Sequence, residues 1–432
     1  MAKRIRRFLC LVCALAALFC AAPTAAAADS PALSSARFVW CYSLENDKLL
    51  YAENEEKPLY PASTAKIMTG ILAIEHYDGA YDTVITITDE IISLSGGTKI
   101  SYKEGEKVTA EQLLYGLIVG NGNDAAYALA ISVGGSVDGF VRLMNEKAAA
   151  IGTKNTHYTN PTGTDDSRAY TTAADVGLIA LYASKNEKYV SISSCEKYHM
   201  EPTNTTDERT IANKNYLVSE SYLSTYYLSY ATGLNAGSTV KGGNCCVGLA
   251  TKDGITVIAV VMNVPEKEND KTAYSFADAK KLIEWAYKSY AYQKVLNRND
   301  IVCEIKVKNS SQADYVALLP KDDLLIYLPT DADIRTDVKR EYQLESDSIT
   351  APVKSGTEVG IMKLYYQDEC VGEIPLVTKN DVDRSLFMVV GGALKKTFFN
   401  MWTLIAAALL IAFAVLCIFI NAYNRGRKNR RQ

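Results

Sequence analysis

Residues 60–75 read Tyr60-Pro61-Ala62-Ser63-Thr64-Ala65-Lys66-Ile67-Met68-Thr69-Gly70-Ile71-Leu72-Ala73-Ile74-Glu75. Ile67, Met68, Ile71, Leu72 and Ile74 recur at helical spacing, which predicts an amphipathic helix over Pro61 to Tyr77 with one face in a core. Ser63 opens that helix and Lys66 follows one turn later, so both side chains share a face. A lysine held there away from water loses its preference for the charged form, and a neutral amine beside a serine hydroxyl can take its proton. The pattern alone is weak, because Ser-x-x-Lys recurs at Ser194 to Lys197 and at Ser238 to Lys241; only the first opens a strongly amphipathic helix. The three histidines, His76, His157 and His199, stand in no nucleophile-elbow or triad context, so each reads as an ordinary polar residue and the base is sought elsewhere.

Outward from this stretch, helical and strand patterns alternate from about Ala36 to Tyr292, an α/β block. Phe38 to Ser43 and Lys48 to Ala52 are predicted as a hairpin across Glu45-Asn46-Asp47. Thr109 with Gln112 forms a capping-box signature, and Asp124 to Ser132 and Val137 to Ala150 are further helices, the second stopped at Gly152. Cys245 to Thr251 and Ile255 to Met262 are strands joined by Lys252-Asp253-Gly254, whose Asp-Gly pair favours a tight hairpin. Beyond the polar linker Leu296 to Asp300, period-2 alternation, as in Cys303 to Lys308 and Ile361 to Tyr366, predicts an all-β block ending near Val382.

The chain has 432 residues, 48% hydrophobic and 22% charged, which excludes a disordered tail and predicts two or three domains. Its net charge of -3 is unevenly distributed, since no Asp or Glu precedes Asp29 or follows Asp383. Setting aside the four basic residues of positions 1–28 and the five after Asn424 leaves 37 basic against 49 acidic residues, so the middle stands at -12. The terminal cations flank apolar runs and form no folded basic face, which argues against nucleic acid as a partner.

Lys3 to Arg7, the apolar run Phe8 to Ala22 and Ala26-Ala27-Ala28 predict a signal peptide over 1–28, cleaved before Asp29. Residues 398–423 carry no charge, are long enough to cross a bilayer core of about 30 Å, and have Trp402 and Tyr423 near their ends. Five cations in the tail 424–432 predict that this end is cytoplasmic. The expectation is a single-pass protein of the cell membrane whose domains at 29–292 and 300–383 face the extracellular side. Six cysteines then lie outside, Cys41, Cys195, Cys245, Cys246, Cys303 and Cys370. Their spacings match no metal site and they are expected as buried thiols, with Cys303 to Cys370 the one pairing to test.

The stretch at 60–75 is followed in order by TAEQLLYGLIVGNGNDAAYALA (109–130), NTHYTNPTGT (155–164), TTAADVGLIALYAS (171–184) and TGLNAGSTVKGGNCCVGLATKDGITVIAVVMNV (232–264). This ordered set resembles the D-alanyl-D-alanine carboxypeptidases among the low-molecular-mass penicillin-binding proteins. The resemblance implies a β-lactamase/transpeptidase-like α/β domain, an antiparallel sheet with helices, then a small all-β domain and a C-terminal transmembrane helix. It implies a serine carboxypeptidase that removes the terminal D-alanine of a peptidoglycan stem peptide, with β-lactam antibiotics as acylating inhibitors and no metal or organic cofactor. By the same resemblance Ser63 is the nucleophile, Lys66 the general base and Asn123 a catalytic partner. The backbone N–H groups of Ser63 and Ser238 stand where the family's oxyanion hole is found.

Two motifs depart from the family's pattern. Its Ser-x-Asn reads Asn121-Gly122-Asn123 here, and its Lys-Thr-Gly reads Asn235-Ala236-Gly237. A lost charge-assisted hydrogen bond costs about 1.5 to 3 kcal/mol, or roughly ten- to a hundredfold in rate when the bond is made in the transition state. The expectation is a rebuilt substrate site of Asn121, Asn235, Gly237 and Ser238, with an Asn121 to Asn235 amide pair and with Lys214 taking over the substrate carboxylate. Two other readings stay open: a catalytically impaired wall- or penicillin-binding homologue, and a β-lactamase. Asn123 also reads as a cap for the helix beginning near Asp124, and Asp124 reads as structural. Tyr222, Tyr226, Tyr227 and Tyr230 read as core or strand packing.

Overall fold

The computed structural model describes residues 30–220, 225–267, 270, 272–398 and 401–428. The predicted signal segment lies outside the described residues, as does Tyr222. The chain divides into two compact units between Ala291 and Tyr292.

The N-terminal unit is built on a five-stranded antiparallel sheet of order β2-β1-β9-β8-β7, comprising β1 (Phe38–Ser43), β2 (Lys48–Glu53), β7 (Ala231–Thr239), β8 (Gly243–Lys252) and β9 (Ile255–Val264). Two short antiparallel pairs, β3 (Val84–Thr86) with β4 (Lys107–Thr109) and β5 (Lys197–Met200) with β6 (Arg209–Ala212), lie outside this sheet. β9 is buried from Thr256 through Met262, as a central strand covered on both faces should be. β7 is an edge strand, and the turn that carries Ser63 packs beside it.

The helix read from residues 60–75 is α1 (Ala65–His76), preceded by a 3₁₀ turn over Ala62–Thr64. Residues Ala65 through Ile74 are all buried, so α1 is a central core helix and its amphipathicity is weaker than the spacing suggested. It is surrounded by α3 (Ala110–Ile118), α4 (Asn123–Gly134), α5 (Val137–Ile151), α6 (Ala173–Ser184) and α7 (Glu187–Ser193); α2 (Asp89–Leu94) packs against α4. The capping box at Thr109 is formed in both directions, with Gln112 N to Thr109 Oγ1 at 3.2 Å and Thr109 N to Gln112 Oε1 at 2.9 Å. α8 (Tyr274–Ser289) packs on β8 and β9. Tyr226 is buried against Phe276 of α8, and Tyr230 meets Tyr287 edge-on, so these rings serve packing.

The C-terminal unit is all-β up to its final helices. It contains the pair β10 (Tyr290–Leu296) and β13 (Leu324–Pro329), and a six-stranded sheet of order β14-β16-β17-β12-β11-β15. The latter comprises β11 (Cys303–Lys308), β12 (Tyr315–Pro320), β14 (Val338–Leu344), β15 (Ser348–Thr350), β16 (Glu358–Tyr366) and β17 (Glu369–Thr378). Two helices follow, α9 (Leu386–Phe398) and α10 (Met401–Lys428). Within α10, Trp402–Arg425 is long and apolar enough to cross a membrane.

The described cysteines are all free thiols. Cys41, Cys245 and Cys246 are buried as expected, whereas Cys195 and Cys303 are half-buried and Cys370 is exposed. The Cys303 to Cys370 pairing is not made: Cys303 pairs with Leu318 of β12, while Cys370, second in β17, pairs with Tyr365 of β16.

Candidate active site

Ser63 owes its position to a strained entry into α1. Ala62 has φ +47, a left-handed conformation that β-carbon sterics make uncommon for alanine. The 160–164 loop accommodates it, because Gly163 lies directly against the Ala62 carbonyl; a β-carbon on Gly163 would stand 1.6 Å from that oxygen. Strain of this kind gathers at functional sites, where surrounding packing over-determines the backbone.

One turn on, Lys66 is 2% exposed. Its Nζ lies 3.3 Å from Ser63 Oγ and donates to the Thr162 carbonyl at 3.1 Å. Burial lowers its pKa from 10.5 to about 7, because the charged form has lost its water. At neutral pH much of the lysine is therefore an uncharged amine with a lone pair beside the serine hydroxyl.

Thr162 is the contributor that the sequence did not assign. Asn160 Oδ1 accepts from Thr162 N at 3.2 Å, Thr162 Oγ1 at 2.9 Å and Thr164 N at 3.1 Å, and Thr69 Oγ1 donates to the Pro161 carbonyl at 2.7 Å. Asn-Pro-Thr-Gly is a legible turn. That its carbonyl meets a lysine 96 positions earlier is visible only in the fold.

Asn121, Asn123 and Asn235 are all buried, and of the three Asn121 is the one brought to the serine. Asn121 adopts φ +56, a region asparagine tolerates, and its Nδ2 lies 3.5 Å from Ser63 Oγ. Gly237 on β7 leaves the room for this approach, since a β-carbon there would stand 2.5 Å from Ser63 Oγ and 2.6 Å from Asn121 Nδ2. The expected Asn121 to Asn235 amide pair does not form, because neither side-chain oxygen accepts a hydrogen bond. The Asn121 amide nitrogen turns to the serine instead.

Asn123 does not cap α4 either. The N-cap position falls on Gly122 without a side-chain bond, and Asn123 Nδ2 donates to the Gly96 carbonyl. Its Oδ1 is likewise without a partner. Asp124 is structural, as read: its carboxylate accepts from Ile100 N at 3.0 Å, Ser101 N at 2.8 Å and Tyr102 N at 3.3 Å, fixing the loop beside the site.

A groove of about 580 Å³ is lined by Asn121, by Gly237 and Ser238 of β7, and by Lys214, Tyr216 and Phe276. Lys214 is exposed at its wall. Among the described residues no cluster of three or more His, Cys, Asp or Glu is placed to hold a metal ion.

Comparison with known proteins gives consistent findings. The family described as D-alanyl-D-alanine carboxypeptidase matches residues 24–266, and that described as penicillin-binding protein 5, C-terminal domain, matches residues 290–384. The chain is 31% identical over 364 residues to D-alanyl-D-alanine carboxypeptidase DacF of Bacillus subtilis, covering 83% of this chain and 88% of that protein. Over 297 residues it is 32% identical to a D-alanyl-D-alanine carboxypeptidase of Streptomyces sp. strain K15, covering 63% of this chain and 99% of that one. Among solved structures it is similar to penicillin binding protein 5 from Haemophilus influenzae, with TM-score 0.58, 25% identity, and 82% of this chain and 99% of that chain covered.

Proposed function

From its membership of the D-alanyl-D-alanine carboxypeptidase family, to which this chain belongs as a serine hydrolase, we propose that it acts on peptidoglycan pentapeptide through an acyl-enzyme on Ser63. The single observation that supports Ser63 most strongly is the dehydrated Lys66 amine 3.3 Å from its hydroxyl.

In this reading Lys66 takes the Ser63 proton as Oγ attacks the carbonyl between the two terminal D-alanines. The developing oxyanion is met by the backbone N–H groups of Ser63 and Ser238, at about 3 kcal/mol per donor. Lys66 returns the proton to the leaving amine, D-alanine departs, and water then frees the shortened peptide. Relay of that proton by a second-motif hydroxyl is not open to this chain, because Asn121 has none. Lys66 carries both transfers.

Lys214 holds the substrate's terminal carboxylate at the groove wall. The family's lysine position is Asn235, whose unpartnered oxygen would repel an anion. The altered second and third motifs make the enzyme slower than relatives that keep both; Asn121 orients the peptide through its amide, and Asn123, whose Nδ2 is held by the Gly96 carbonyl, offers only its Oδ1. Gly237 admits the substrate next to Ser63. β-Lactams, which present a carboxylate beside a strained amide, acylate the same serine.

Placing the catalytic unit outside the cell rests on the cationic leader, the apolar helix Trp402–Arg425 and the basic residues after it. The test is release of D-alanine from a synthetic pentapeptide by the full-length chain in detergent, with Ser63→Ala as control. Equal release by both proteins overturns the assignment.

A further inference from the structure

Lys214 is an exposed lysine on a wall of the groove, and a long flexible side chain in such a place fixes no ligand unless its backbone is held. The residues on either side are both buried asparagines: Asn213 is 2% exposed and Asn215 4%. Asn213 spends its whole amide on the backbone. Its Nδ2 donates to the Ser193 carbonyl at 3.0 Å and the Cys195 carbonyl at 2.9 Å, and its Oδ1 accepts from Asn215 N at 2.8 Å. Two donors and one acceptor are thereby satisfied in a dry site, where an unmade bond is costly.

The main chain adds two further ties. Asn213 N donates to the Glu196 carbonyl at 2.8 Å, and Lys214 N donates to the Val119 carbonyl at 2.9 Å, two residues before Asn121. Asn215 continues the frame, since its Nδ2 reaches the Val247 carbonyl of β8 at 3.2 Å and the Asn235 carbonyl of β7 at 3.5 Å. Lys214 is thus suspended between the end of α7, the segment after α3 and the two strands that border the groove.

We propose that Asn213 is a positioning residue for substrate recognition: its side-chain amide bridges Asn215 to the carbonyls of Ser193 and Cys195 and thereby aims Lys214 at the carboxylate of an incoming D-amino-acid terminus. The inference rests on the carboxylate role given to Lys214 under the proposed function. It assigns a task to a residue that touches neither substrate nor serine. Removing the amide frees the Asn215 N–H and both carbonyls, the 213–215 segment relaxes, and the ammonium is averaged over many positions.

The experiment compares two peptides, one ending in D-alanyl-D-alanine and the other in D-alanyl-D-alanine amide, which has the same scissile bond and no terminal carboxylate. The readout is the ratio of kcat/KM for acid over amide, measured on the full-length chain in detergent for wild type, Lys214→Ala, Asn213→Ala and Asn213→Ser. Asn213→Ser keeps one polar group and guards against a variant that does not fold. The expected result is a fall in the ratio of about tenfold in Lys214→Ala and in the Asn213 variants, carried by KM of the acid peptide, with no further fall in the Lys214→Ala/Asn213→Ser double variant.

A merely structural Asn213 lowers both activities together and leaves the ratio at the wild-type value. That result, with Lys214→Ala still losing the ratio, overturns the inference and spares the role of Lys214. An unchanged ratio in Lys214→Ala overturns the role of Lys214 and the inference with it.

Discussion

The buried lysine makes a prediction that can be followed through both rate and stability. With a folded-state pKa of about 7, Lys66 is about half neutral at pH 7, about a tenth neutral at pH 6 and about a hundredth at pH 5. If the neutral amine takes the Ser63 proton, the second-order rate of acylation by a fluorescent penicillin falls about tenfold per pH unit below 7 and levels off above about 8.

The same pKa has a thermodynamic sign. Between about 7 and 10.5 the unfolded chain holds a proton on this lysine that the folded chain does not, so stability rises with pH across that window. Below 7 the desolvation penalty is fully present, on the order of 5 kcal/mol for a shift from 10.5 to about 7. Lys66→Met removes the charge while keeping much of the volume, and it forfeits hydrogen bonds to Ser63 and Thr162 worth about 1 kcal/mol each. The variant should therefore unfold at a temperature several degrees higher than wild type at pH 6. It should also lose acylation by roughly 10²- to 10⁴-fold. Stopped-flow acylation and thermal denaturation at pH 5 to 9 read the two effects. A flat acylation profile from pH 5 to 8 rules out a neutral Lys66 as the base, and a Lys66→Met variant less stable than wild type at pH 6 rules out the desolvation penalty.

Other expectations follow from the same geometry. Gly237→Ala forces a methyl group to within 2.5 Å of Ser63 Oγ and 2.6 Å of Asn121 Nδ2, so acylation should drop by at least about a hundredfold, and near-wild-type acylation would show that the groove yields. The double variant Asn121→Ser/Asn235→Lys, which restores a hydroxyl and a cation, should raise kcat/KM for the acid peptide roughly tenfold or more. Serine at φ +56 should cost it about 1 kcal/mol of stability, and an unchanged kcat/KM would mean that the two asparagines do not limit the enzyme. Asp124→Ala releases three backbone N–H groups of 100–102 and should destabilise the N-terminal unit by about 3 kcal/mol in chemical denaturation; a change below about 1 kcal/mol would assign the loop to other contacts.

Much of the fold was legible because local signals agreed with one another. The hairpin at Lys252-Asp253-Gly254 and the capping box at Thr109 each combine a turn or cap residue with the right apolar period, and each is found where expected, while the helix read after Ser63 forms over Ala65–His76 behind an uncapped 3₁₀ turn. Less legible was how the site is held. The spacing of Ser63 and Lys66 puts two side chains on one face, but the dryness that lowers the lysine pKa comes from helices and a loop remote in sequence. Likewise the residue types Asn121 and Asn235 suggested an amide pair. The left-handed backbone at Asn121 and the missing β-carbon at Gly237 sent the first amide to the serine instead. Asn213 has no sequence signature at all, since its three partners are carbonyl and amide groups whose meeting depends on the packing of α7 against the following segment.

The most direct measurement is mass spectrometry of the full-length chain after treatment with a penicillin. One covalent adduct is expected, located on the peptide containing Ser63, absent in Ser63→Ala and formed more slowly at pH 5 than at pH 8. An adduct on another residue, or an adduct that persists in Ser63→Ala, contradicts it.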